Sequence, residues 1–156
     1  MSSDKDAAIE GYKKAIDRQE IKAADDRRRL VERTQTERGT SSIWWGTFCP
    51  MFRQAAAKVY HEYLLLLRGK SPPEIMCVEE TGNQAAYLIR RIRPDGTIQM
   101  LGTLRFRLHV DKTITATTGI MAQNSSMRLD HPDREWVEQL FDQAMISALK
   151  DAAETH

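Results

Sequence analysis

The sequence lacks a long apolar run. Its longest aliphatic stretch, Leu64 to Leu67 after Tyr63, falls far short of the roughly 18 residues that a membrane span needs. The first residues, MSSDKDAAIEGYKK, have no apolar core of a secretory signal. Cysteine is scarce: Cys49 and Cys77 are the only 2, and their spacing fits neither a disulfide framework nor a zinc motif. An excess of one charge is lacking too. Against 23 Lys and Arg stand 22 Asp and Glu, so at a net charge of +1 no global field draws the chain to nucleic acid or an anionic membrane. These absences lead us to expect a cytoplasmic protein with reduced thiols, no membrane span, no metal and no cofactor. Binding to a polyanion would require a local cluster of cations.

What is present divides by composition. Residues 1–40 read as a helical arm that is highly charged and almost free of breakers. Ile9, Tyr12, Ile16, Ala23 and Leu30 fall near a seven-residue repeat, but Gln19 and Asp26 interrupt the seam. Such a helix needs a partner surface. Gly39-Thr-Ser-Ser42 is expected to end it. Residues 41–156 read as an α+β domain. Its first helix, over 50–68, places Phe52, Ala55, Ala56, Val59, Tyr63 and Leu67 on one stripe, with Pro50 in the first turn.

From residue 74 the period changes to two. Strands are expected at 75–81, 84–93, 97–110 and 113–121, a four-stranded antiparallel meander, and the segment 119–128 with its Asn124-Ser-Ser126 reads as irregular. Pro94-Asp-Gly96 matches a three-residue hairpin loop, pairing Ile92 with Ile98, Arg90 with Met100, Leu88 with Gly102 and Ala86 with Leu104. One face then carries Leu88, Ile92, Ile98, Met100, Leu104, Phe106, Leu108 and Val110 as core. The other carries Tyr87, Ile89 and Leu101 at one end, joined by Met76 and Val78, and Arg105, Arg107 and His109 at the other. A C-terminal helix begins near Asp130, as cap, and Pro132; its stripe of Trp136, Val137, Leu140, Phe141, Ala144, Met145, Ala148 and Leu149 packs on the core face.

The least ordinary segment is residues 42–53, SIWWGTFCPMFR. Its Trp-x-x-x-Cys-Pro pattern resembles thiol redox enzymes of the thioredoxin-like class over those few residues only. That likeness implies a reactive Cys49, yet position 52 is Phe, so no Cys-x-x-Cys exists. Free cysteines are more often inert core residues. Two adjacent indoles in an extended segment point opposite ways, which makes one of Trp44 and Trp45 core and leaves the other as an interface anchor. His61-Glu62 has no second histidine at metalloprotease spacing, and His61, His109, His131 and His156 are scattered. Glu79 and Glu80 with His109 and Asp111 would serve acid–base chemistry only if folding brought them together.

The expected role is a non-catalytic interaction or assembly module that self-associates, as a dimer, or binds a protein partner. Its interface would comprise Ile9, Tyr12 and Ile16 of the arm, Trp44 and Trp45, and Tyr87, Ile89 and Leu101 of the sheet. The alternative is a nucleic-acid-binding module using Arg105, Arg107 and His109. Third comes a thiol-dependent or small-ligand-binding enzyme built around Cys49.

Overall fold

The structure, a computed structural model, describes residues 2–119 and 121–154. Their order is α1 (Ser2–Ile43), a π-helical turn (Trp44–Phe48), α2 (Cys49–Leu66), β1 (Glu74–Glu80), β2 (Gln84–Ile92), β3 (Ile98–Leu108), β4 (Thr113–Thr118), β5 (Met121–Arg128) and α3 (Arg134–Glu154). The class is α+β, as the change of period implied. The chain divides into two compact units, the first ending at Gly39 and the second beginning at Thr40.

In the first unit nearly every side chain of the charged helix is exposed, Ile9, Tyr12, Ile21 and Leu30 among them, and Ile16 is half-buried. Helical structure continues through residues 39–42, where a break was expected. Glycine costs a helix about 1 kcal/mol and serine less, so neither forbids it. The extended linker expected to hold the two tryptophans is instead helical. The Cys49 N–H donates to the Trp44 carbonyl, five residues back, which widens the turn. In a wider turn residues four apart stack more nearly in line. Trp44, Phe48 and Phe52 are accordingly all fully buried, while Trp45 is 43% exposed.

The second unit is built on one antiparallel sheet in the order β1-β2-β3-β4-β5. It has five strands where four were expected. Gly119, at φ 61, turns the chain after β4, and β5 returns with Thr117 opposite Ala122 and Thr115 opposite Ser126. β5 is an edge strand that buries only Met127, so its polar residues read as loop although its backbone pairs. The expected fourth strand, 113–121, includes Ile120, which lies outside the described residues, as does His156.

The hairpin at 94–96 forms as the sequence implies. Gly96 adopts φ 86, its N–H donates to the Arg93 carbonyl at 2.9 Å, and the Arg93 N–H donates to Thr97 at 2.8 Å. Ile92 faces Ile98 and Arg90 faces Met100 in the expected register. Then the register shifts. Leu101 and Gly102 together oppose Ile89, a β-bulge, after which Leu88 faces Thr103, Tyr87 faces Leu104 and Ala86 faces Arg105.

One inserted residue exchanges the faces of everything beyond it. The core face therefore carries Tyr87, Ile89 and Leu101 together with Leu104, Phe106 and Leu108, all buried. Leu88, Ile92, Ile98 and Met100, expected in the core, stand on the opposite face, and Val110 is fully exposed in the β3–β4 turn. α2 and α3 cover the core face. Phe106 is its hub: it stacks on Phe52 with ring centres 4.1 Å apart and planes within 7°, and it meets Phe141 at 5.8 Å and Trp136 at 6.2 Å. α3 is capped by Asp133 rather than Asp130; the Asp133 Oδ1 accepts from the Trp136 N–H at 3.1 Å.

Candidate interaction face

The face of the sheet turned away from α2 and α3 holds two chemically different ends. At the β2–β3 hairpin end, Ile92 (59% exposed), Ile98 (53%) and Met100 (67%) stand in solvent. Half-buried Leu88 and Met76, paired across β1 and β2, continue the stripe. Arg90 lies within it, its guanidinium 3.3 Å from the Glu74 carboxylate. The far end carries exposed Arg105 and Arg107 and half-buried His109. Arg105 donates to the Gln84 Oε1 at 3.3 Å, and the His109 Nε2 lies 2.7 Å from the Thr115 hydroxyl. Thr115 and Thr117 share this face, with half-buried side chains of no strong apolar character.

An apolar patch beside a basic end was thus expected, and the sheet has one; Met76 belongs to it as expected, and the rest is built from other residues. Tyr87, Ile89 and Leu101 are buried beneath the helices of their own chain and form no surface. Met76, Leu88, Ile92, Ile98 and Met100 take their place. The one available sequence signal was Gly102 inside a strand, a residue that often marks a bulge. Val78 stands at a second register shift in β1 and is exposed.

The indoles divide as expected of adjacent side chains, though on a helix. Trp44 is buried and its Nε1–H donates to the Thr81 carbonyl at 2.8 Å. Trp45 is exposed.

Cys49 is fully buried, and that burial pushes its thiol up to about 11, with the Glu80 carboxylate adding to the shift and the Arg53 guanidinium opposing it. A thiol of that kind is the reverse of an activated nucleophile, and nothing in its surroundings favours the reactive-thiol expectation. Cys77, on exposed β1, is also raised, chiefly by desolvation.

Of the acidic groups only Asp111, in the same turn, lies near enough to His109 to feel its charge. Glu80 is held by Arg53 of α2 at 3.0 Å, while the Asp111 carboxylate accepts from the Thr113 N–H at 3.0 Å within the β3–β4 turn. His61 is exposed on α2. Among the described residues no three His, Cys, Asp or Glu side chains come together as a metal site, and no helix is long and apolar enough to cross a membrane.

Fold and face define an α+β domain with one sheet face packed by helices and the other open. No protein-family model matches the chain, and no curated protein or solved structure does.

Proposed function

We propose that the chain is a non-catalytic assembly module that self-associates as a dimer through the open face of its sheet. One observation carries the reading: five large apolar side chains, Met76, Leu88, Ile92, Ile98 and Met100, share the face that no helix of the second unit covers. Contiguous apolar surface of this kind is characteristic of interfaces. The occupant is a second copy of the same face. A twofold axis through the stripe sets apolar on apolar and sends each Arg105–Arg107 end away from its counterpart, so like charges do not meet. Two sheets stack in this way about 10 Å apart.

The first unit supports the same reading. A charged helix with Ile9, Tyr12, Ile21 and Leu30 in solvent is marginal unless something buries them. We place this assembly in the cytoplasm, in keeping with two free thiols.

Light-scattering mass on a sizing column tests the proposal. The full chain runs as a dimer, and the pair Ile98→Asp and Met100→Asp converts it to a monomer with an unchanged helical signal. A monomeric parent, or an unchanged mass in the folded variant, refutes the sheet interface.

The exposed arginine end favours a second reading, a nucleic-acid-binding module using Arg105, Arg107 and His109. It predicts low-salt anisotropy binding of a single-stranded oligonucleotide that Arg105→Ala with Arg107→Ala removes.

A further inference from the structure

The groove between α2 and the edge strand β1 lies apart from the open face, and the assembly reading leaves it unused. Open to solvent, it offers about 300 Å³ between Arg53, Ala57 and Tyr60 on the helix and Ile75, Cys77 and Tyr87 on the sheet. The helix opposes the sheet here with the methyls of Ala56 and Ala57, which is why room remains. The groove's apolar walls are Ile75, the two alanines and the Tyr60 ring. Its polar end is the Arg53–Glu80 ion pair, joined by two contacts at 3.0 and 3.2 Å, which brings no net charge.

At that end lies an unexplained group. The Tyr87 hydroxyl is buried; among the described residues no oxygen or nitrogen accepts from it, and the Cys77 sulfur beside it, a weak acceptor, lies outside good hydrogen-bond geometry. Leaving a buried donor unmade is costly, and most such groups in proteins have a partner. Its ring is fixed by an edge-to-face contact with Phe141 at 5.0 Å, so the hydroxyl cannot swing to a new position. Cys77 is the directly opposed cross-strand neighbour of Tyr87. Burial above all, then the neighbouring Cys77 and Glu80, keeps the hydroxyl protonated across the physiological range, hence a donor whose one nearby acceptor is the weak Cys77 sulfur.

We propose that this groove binds a small apolar molecule carrying one uncharged oxygen, which accepts the hydrogen bond that the Tyr87 hydroxyl otherwise lacks. The apolar body lies along Ile75, Ala57 and Tyr60. The oxygen enters beside Cys77, whose side chain turns about its single χ1 to admit it. A carboxylate head is disfavoured, because Arg53 is already neutralised by Glu80. The site is on the helix-covered side of the sheet, so its occupancy and the dimer mass are independent readouts.

The test is a titration of the full chain with acetophenone, benzoate and toluene, which present the same ring with an uncharged oxygen, a charged one and none. Backbone amide shifts in a two-dimensional NMR spectrum report binding. Acetophenone gives saturable shifts at Ala57, Ile75 and Cys77 and binds about tenfold more tightly than toluene, the typical worth of one hydrogen bond in a buried site. Tyr87→Phe lowers acetophenone to the level of toluene and does not lower the thermal midpoint, since the hydroxyl it removes makes no well-formed hydrogen bond within the chain. Ala57→Leu fills the groove and removes both ligands while leaving the helical signal intact; it serves as the test should Tyr87→Phe fail to fold. Absence of saturable acetophenone shifts overturns the proposal, as does unchanged acetophenone affinity in either folded variant. Tighter binding of benzoate overturns the uncharged head.

Discussion

The two faces of the sheet are made by the same strands from nearly the same stock of residues, yet only one is core. The core face has Ile89, Leu104, Phe106 and Ile114 at full burial, while the open face has Ile92, Ile98 and Met100 more than half exposed. Hydrophobicity does not separate these sets. What separates them is position relative to the bulge at Leu101 and Gly102. Without it, Phe106 would share a face with Ile98 and Met100, and the helices would have no continuous aromatic surface to cover. The bulge keeps Tyr87 and Ile89 on the side of Phe106 and strands the hairpin-end residues on the other. An exposed apolar face therefore arises as the complement of a packed one.

This comparison is broken most forcefully by truncating one residue on each side. Phe106→Ala removes the hub of the aromatic cluster and is expected to cost about 3–5 kcal/mol in denaturant unfolding, for lost burial and the cavity left behind. Met100→Ala, measured at a protein concentration where light scattering gives the monomer mass, is expected to change stability by no more than about 0.5 kcal/mol. A large loss from Met100→Ala in the monomer would mean that the open face is packed within one chain.

How much of this was legible in the sequence follows from the range of the forces involved. The element order, the 94–96 hairpin and the first two register pairs depend on local turn chemistry and periodicity, and residues 92–98 state them fully. The partition of faces depends on one extra residue opposite Ile89, and no periodicity records which strand holds it. β5 escaped for a related reason: it pairs at Ala122 and Ser126 across a register shift, and its polar side chains carry no alternation that would reveal such pairing. The helical break expected at residues 39–42 failed because propensity is a weak prior against hydrogen bonds on both sides. Of the candidate site, the kind of surface was readable and its membership was not. The groove over Tyr87 had no signature, since Ala57 and Ile75 become neighbours only when α2 lies beside β1.

The tryptophan pair extends the comparison to adjacent residues. Trp44→Ala is expected to cost about 3–5 kcal/mol, because it empties a buried site packed against Phe52 at 5.6 Å. Trp44→Phe should cost less, on the order of 1 kcal/mol, mainly the indole donation to the Thr81 carbonyl. Trp45→Ala should leave stability within about 0.5 kcal/mol, so any change in dimer mass it produced would assign the exposed indole to the interface.

The two thiols supply the sharpest contrast between inside and outside. Cys77 is exposed and Cys49, at the start of α2, is fully buried, so iodoacetamide under native conditions should alkylate Cys77 first and reach Cys49 only on unfolding. The raised thiol of Cys49 also sets a pH dependence. Its ordinary value is 9.0 and its folded value about 11, so between those limits the folded chain holds a proton that the unfolded chain has released. The stabilisation from this group is complete below about pH 9 and is lost as pH rises through the folded value. Thermal midpoints measured across that window should therefore fall less steeply for Cys49→Ala than for the parent. Parallel curves would mean that the thiol is as well solvated in the folded chain as in the unfolded one, and that the packing of the helices over Ile89 and Phe106 does not extend to the start of α2.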